Sequence, residues 1–165
     1  MNHSQRIKDT VLQAYEQFRE PLFRFLTRLG LPSMQAQEIT QECFLRMQSQ
    51  LLAGGDITAP RAWLFQVAHN IGVREAERSA REEALTAAQE LQSDHPFAAL
   101  ESADRTRRLH FAIDQLSVQQ RRCLLLRAEG LRYREIGEVL GIETSTAAEF
   151  VRRAVAQLRK VLYEG

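Results

Sequence analysis

Apolar side chains recur at three- and four-residue steps through most of this chain, and that spacing commits it to packed helices. Val11, Tyr15, Phe18, Leu22, Leu26 and Leu29 form the first such stripe. Pro21 lies inside it and is expected to kink or divide the helix, because it removes one backbone donor. Gly30-Leu31-Pro32-Ser33 reads as a stop and restart, with Ser33 as the capping residue. A second helix to about Leu52 places Ala36, Ile39, Cys43, Phe44 and Met47 on its apolar side. Ala53-Gly54-Gly55-Asp56 is a loop. Pro60 suits a first helical turn, and a third helix follows with Trp63, Leu64, Val67, Ala68 and Ile71. The apolar run after Trp63 makes that ring a core residue before anything else.

Residues 80–94 are rich in Ala, Glu and Gln and read as a weak helix or a linker. Beyond Pro96, the spacing of Phe97, Leu100, Leu109, Ile113 and Leu116 predicts a further helix. Ser117-Val118-Gln119-Gln120 has the form of a capping box. The helix it opens carries Cys123, Leu124 and either Leu125 or Leu126 inward and stops at Gly130. A short helix from Tyr133 to Leu140 follows, with Ile136 and Val139 inward, then Gly141, then a last helix from about Thr144 to Tyr163. Short helix, glycine turn and longer helix together make a helix-turn-helix. Arg152, Arg153, Arg159 and Lys160 on the second helix suit insertion into a DNA groove; a plain helical hairpin with solvated arginines is the alternative. No strand alternation or internal repeat is visible.

Charge divides the chain in the same places. The 165 residues carry 22 basic and 21 acidic side chains, which conceals a marked asymmetry. Residues 1–80 are nearly neutral, residues 81–104 carry a net charge of −5, and residues 105–165 carry +5. A basic C-terminal block invites a nucleic-acid partner, and the acidic stretch reads as a connector. The expected architecture is therefore all-α, with two small helical modules at 1–80 and 105–165 joined by an acidic linker at 81–104. Cys43 and Cys123 each sit in a helical stripe, so neither a disulfide framework nor zinc-ligand spacing is expected. His3, His69, His95 and His110 are scattered, no motif frames a nucleophile, and no catalytic role, metal or cofactor is expected. The opening MNHSQRIKDT has no apolar core, and no run approaches the ~20 residues of a membrane helix. A reducing cytoplasm is the expected setting.

Three segments together resemble the bacterial sigma factors of the sigma-70 family, extracytoplasmic-function (ECF) group. Ala36–Arg46 is similar to region 2.2, Pro60–Asn70 to region 2.3 running into 2.4, and Leu116–Leu158, centred on EGLRYREIGEVLGI, to region 4. The resemblance implies a protein that binds core RNA polymerase through its β′ and β subunits and directs it to promoter DNA. It implies no covalent chemistry. It also implies an anti-sigma factor as a regulator. By this resemblance Glu38, Gln41, Glu42 and Arg46 dock on the polymerase clamp; a solvated polar face is the plain alternative. Asn70, Arg74, Arg78 and Arg81 engage the minus-10 element, near a 53–59 loop where relatives hold a flipped base. Arg132, Arg134, Thr144, Ser145, Thr146, Ala148, Glu149, Arg152 and Arg153 belong to minus-35 recognition, with the three hydroxyl residues capping the helix and touching phosphate. The acidic connector, Glu82, Glu83, Glu90 and Asp94 included, suits the basic RNA-exit path, or equally a solvated linker.

The chain departs from the family where DNA is read. Relatives usually show Asp after Asn70 and Arg three residues later, whereas Arg74 and Glu77 here reverse that order. Relatives often carry Lys or Arg where Ala148 stands, and Ser or Thr where Glu149 stands. Ala148 offers only apolar contact. Glu149 repels phosphate and can accept from cytosine N4. Two competing readings remain: a sigma-like decoy that sequesters an anti-sigma factor, and a helix-turn-helix regulator that works without polymerase.

Overall fold

The computed structural model describes residues 2–85 and 103–164. They form seven helices: α1 (His3–Arg28), α2 (Ser33–Leu52), α3 (Pro60–Leu85), α4 (Ala103–Asp114), α5 (Val118–Ala128), α6 (Tyr133–Leu140) and α7 (Thr144–Tyr163). Described residues contain no strand. Phe97, Leu100, Glu90 and Asp94 of the expected connector and its following helix lie outside the described residues.

α1 starts at Asn2, whose side chain accepts from the Ser4 N–H. It does not divide at Pro21 but runs on to Arg28 as one helix. The apolar stripe continues on both sides of the proline, with Phe18, Leu22, Phe25 and Leu26 all buried. Their packing against α2 and α3 outweighs one missing backbone bond. The α2 capping position is Pro32 rather than Ser33, and it makes no side-chain cap. α2 buries Ala36, Ile39, Cys43, Phe44 and Met47, the full set expected from spacing. α3 turns Leu64, Phe65 and Ala68 inward. The Phe25 and Phe65 rings meet edge to face at 5.4 Å, as do Tyr15 and Phe44 at 5.1 Å. Trp63 is half-buried and packs on this core, in line with its core reading.

In the C-terminal half the capping box is present in both directions. Gln120 N–H donates to Ser117 Oγ, and Ser117 N–H donates to Gln120 Oε1, each at 3.1 Å. α5 buries Cys123, Leu125 and Leu126, while Leu124 stays half-buried. Beyond α5, Gly130 adopts φ +89°, and the Leu131 N–H returns to the Leu126 carbonyl at 3.3 Å. Leu126 and Leu131, both buried, meet across this helix end. α4, α5 and α6 all pack on α7. The halves also touch each other: α3 packs on α6, and α1 on α5. One continuous cluster of buried apolar residues consequently spans both halves, from Ala14 to Val151.

Burial changes the chemistry of three side chains. It pushes the Cys43 thiol up to about 12 and the Cys123 thiol up to about 11, so both are protonated and unreactive at neutral pH. It pushes His69 below its ordinary 6.5, with a smaller opposing effect from Asn70 and a further lowering by Arg122.

Two consequences can be measured. An unfolded chain takes up a proton at His69 near pH 6.5, whereas the folded chain resists it until lower pH. Stability present above that value is therefore lost as pH falls below it. The melting temperature should drop between about pH 7.5 and pH 5.5, and His69→Gln should flatten that drop. At Gly137, an added Cβ would stand 2.6 Å from the Ile142 carbonyl oxygen. Gly137→Val should cost about 2–3 kcal/mol in a denaturant titration, because the branched side chain must displace backbone.

Candidate nucleic-acid interface

The helix-turn-helix is built by α6, Gly141 and α7. Gly141 takes a left-handed conformation at φ +69°, ψ +36°, which glycine adopts without steric cost. The Ile142 N–H then returns to the Gly137 carbonyl at 3.0 Å. Ile136 and Val139 of α6 and Ala147, Val151 and Ala154 of α7 are buried. Burial of that stripe leaves the opposite side of α7 to solvent. An open cleft of about 700 Å³ lies between the two helices, with Arg134, Glu138, Thr144 and Thr146 on its walls.

Thr144, Ser145 and Thr146 are exposed in the first turn of α7. They do not cap it. The capping residue is Glu143, without a side-chain bond, because the helix begins with Thr144 itself. The three hydroxyls therefore stand beside free helix N–H groups, an arrangement that accepts phosphate oxygen. Arg132 closes the start of α6 through its backbone N–H, which donates to Glu135 Oε1 at 2.9 Å, leaving its side chain exposed. Arg134 is exposed and stands 3.8 Å from Glu138. Ala148 is half-buried.

Glu149 is bound by both arginines of its own helix. Its carboxylate accepts from Arg152 Nε at 2.9 Å and Nη2 at 2.6 Å, and from Arg153 Nε at 2.9 Å. The bonds from Arg152, then those from Arg153, hold the carboxyl down at about 2. Accepting from a cytosine amine would add a fourth bond to a carboxylate that already accepts three. Arg159 and Lys160 form no ion pair among the described residues.

In α3 the four proposed minus-10 residues, Asn70, Arg74, Arg78 and Arg81, are all exposed and follow one another at three- and four-residue steps. They share one face of the helix. Arg78 is held by Glu75 at 2.6 Å and lies 3.8 Å from Glu82. Asn70 Oδ1 is 3.5 Å from the buried His69 ring. The 53–59 turn is fixed by the Gly55 N–H donating to the Gln50 carbonyl at 2.9 Å, and Ile57 packs on the core.

On α2, Glu38 and Gln41 are exposed, and Glu42 accepts from Arg46 Nε at 3.0 Å. Gln41 also borders a shallow cavity of about 250 Å³ with Tyr15, Arg19, Phe23 and Thr40. Sequence spacing brought this α2 face, the α3 face and the α7 face out correctly as polar surfaces. It missed Arg24, Arg28, Arg61 and Glu129, which join the two halves: Glu129 accepts from Arg24 Nε at 2.8 Å and lies 3.4 Å from Arg28, and Arg61 Nη1 donates to the Gly130 carbonyl at 3.4 Å. Nothing local marks a pair separated by 105 positions. Among the described residues no group of three or more His, Cys, Asp or Glu side chains could hold a metal ion, and no helix is long and apolar enough to cross a membrane.

Comparison with known proteins covers both halves. The family described as sigma-70, region 4 matches residues 106–158, which include the helix-turn-helix. The ECF RNA polymerase sigma factor SigL of Mycobacterium tuberculosis is 31% identical over 157 residues, covering 91% of this chain and 87% of SigL. RNA polymerase sigma factor YlaC of Bacillus subtilis is 26% identical, covering 97% and 94%. Among solved structures, the sigma factor RpoE in complex with the anti-sigma factor NepR from Bartonella quintana aligns with a TM-score of 0.70 at 20% identity, covering 91% of this chain and 94% of RpoE. CnrH in complex with the cytosolic domain of CnrY aligns at 0.66 and 19% identity, covering 97% and 94%. The fold is thus shared over at least 91% of the chain, and the likeness to SigL extends across α1–α3 as well as the helix-turn-helix, so the chain belongs to the ECF group of RNA polymerase sigma factors.

Proposed function

We propose that this chain binds core RNA polymerase through α2 and reads promoter DNA with α3 and α7, so that transcription initiates at its own promoters. The observation that carries this reading is the coexistence, in one chain that matches its relatives nearly end to end, of the α1–α3 bundle and the helix-turn-helix. A regulator working without polymerase has no use for the first of these. Glu38, Gln41, Glu42 and Arg46 dock on the polymerase. Asn70, Arg74, Arg78 and Arg81 hold the minus-10 element. Arg132, Arg134, Thr144, Ser145, Thr146, Ala148, Glu149, Arg152 and Arg153 form the minus-35 surface. Residues 1–80 and 105–165 are the two working domains, with 81–104 between them. The protein works in the cytoplasm, has no enzymatic step of its own, and is held in reserve by an anti-sigma protein.

Arg152 and Arg153 set sequence preference in α7, since a guanidinium is the side chain that pairs bidentately with guanine. Glu149 orients them and lowers the local charge. Thr144–Thr146 and Arg132 fix the register on phosphate.

The purified protein added to core polymerase should support specific run-off transcription from DNA upstream of its own gene. Binding to an anti-sigma protein without initiation would favour the decoy reading, and failure to bind core polymerase would overturn the α2 assignment. Glu38→Arg should weaken core binding about tenfold, measured by competition against the parent protein. Arg152→Ala should cost about 1–3 kcal/mol of minus-35 binding and relax the preferred base there. Arg132→Ala should instead weaken all sequences alike and reduce the salt slope by about one. Both are read by fluorescence anisotropy across a salt series.

A further inference from the structure

The basic excess of the C-terminal half does not lie on its reading surface. Residues 132–153 hold α6, the Gly141 turn and the first half of α7. There Arg132, Arg134, Arg152 and Arg153 are matched by Glu135, Glu138, Glu143 and Glu149. The whole net charge of +5 in residues 105–165 therefore belongs to α4, to α5 and to the last turns of α7. α4 packs on α7. It buries Ala112 and leaves Leu109 and Ile113 half-buried. Arg107, Arg108 and Phe111 stand at three- and four-residue steps on its outer face. The Phe111 side chain is 62% exposed. On α7 the exposed stripe that begins at Arg152 and Arg153 continues through Ala156, Arg159 and Lys160 to Tyr163, which is 73% exposed. Arg108 is paired with Asp104 at 3.2 Å. Arg105, Arg107, Arg159 and Lys160 form no ion pair among the described residues.

We propose that α4 and the last turns of α7 form a second nucleic-acid surface, which takes single-stranded RNA with its bases on Phe111 and Tyr163 and its phosphates on Arg105, Arg107, Arg159 and Lys160. Guanidinium groups that no carboxylate holds are open to phosphate oxygen. Exposed rings offer unstacked bases a face to lie on. Duplex DNA cannot use the rings, because its base faces are stacked inside the helix. An amphipathic protein helix fits less well, since it needs an apolar groove with anchors a turn apart, and each ring here stands among charges. The place on α7 agrees. A recognition helix meets base edges with its N-terminal residues, and Tyr163 lies about 15 Å of helix beyond Arg153. Arg159 and Lys160 then serve the single strand and not the groove expected for them. The DNA strands have their proposed readers on α3, α6 and α7, which leaves RNA, the strand a polymerase makes. That this RNA is the transcript rests on the sigma-factor reading; the surface itself does not.

The test titrates the full chain against a fluorescein-labelled, uridine-rich RNA oligonucleotide and reads anisotropy across a salt series. The parent protein should bind it, and excess minus-35 duplex should not displace it. Phe111→Ala should weaken RNA binding about tenfold, and Arg107→Ala should reduce the salt slope by about 0.7. Both variants should bind the minus-35 duplex as the parent does. Tyr163→Ala gives the same readout as Phe111→Ala should the latter lose helicity by circular dichroism. No RNA binding by the parent, displacement by the duplex, or unchanged RNA affinity in Phe111→Ala and Tyr163→Ala overturns the proposal. So does tighter binding of DNA of the same sequence, or of an acidic peptide bearing aromatic residues. In a complete transcription reaction, 4-thiouridine in the transcript should crosslink to this chain, and Phe111→Ala should abolish the crosslink while initiation continues. Initiation without a crosslink in the parent overturns the transcript as the bound strand. Absence of initiation in parent and variant alike overturns the sigma reading and leaves the surface to be judged on the oligonucleotide.

Discussion

α3 is the helix against which the rest of the molecule is arranged. It packs on α1 and α2 along one side and on α6 along another. Ala62, Phe65, Ala68, His69 and Gly72 are buried, and Leu26 lies so near Gly72 that a Cβ there would stand 2.8 Å from it. This burial orients the helix. With that stripe inward, Asn70, Arg74, Arg78 and Arg81 are forced to the solvent side. The exposed polar face of α3, proposed above to hold the minus-10 element, therefore follows from core packing, not from separate positioning of each side chain. The same reasoning holds for α7, where burial of Ala147, Val151 and Ala154 sends Arg152 and Arg153 outward.

Most of the helices could be read from periodicity, because the chain is dominated by local amphipathic patterns. α2, α5, α6 and α7 run where the spacing of Ile39 to Met47, Cys123 to Leu126, Ile136 to Val139 and Thr144 to Tyr163 predicts. The errors have physical causes. Pro21 does not divide α1, because the buried stripe of Phe18, Leu22 and Phe25 outweighs one lost hydrogen bond. Thr144, Ser145 and Thr146 looked like caps because each side chain suits the role; the turn after Gly141 is one residue shorter than that reading needs, and it leaves the position to Glu143. The polar faces of α2, α3 and α7 were legible for the same reason as the helices. Contacts between the halves were not, since Arg24 and Glu129 resemble any other charged residues on a solvated face until the chain is folded.

Charge arithmetic alone misdescribes α7. Its basic residues suggest a strongly cationic helix, yet Glu149 binds two of them. A phosphate or a guanine approaching Arg152 must compete with a carboxylate that already occupies the guanidinium fork at 2.6 and 2.9 Å. Non-specific attraction to the DNA backbone falls, because such attraction counts net charge neutralised and takes no account of geometry. Selective pairing suffers less. A well-aligned guanine presents two acceptors in the plane of the fork, so it replaces both bonds at once, whereas a misaligned base replaces only one. Placing a carboxylate one turn behind two arginines therefore exchanges affinity for discrimination. If α3 meets DNA as proposed, and the protein reaches promoters with a polymerase that has DNA contacts of its own, the recognition helix has no need to bind tightly alone.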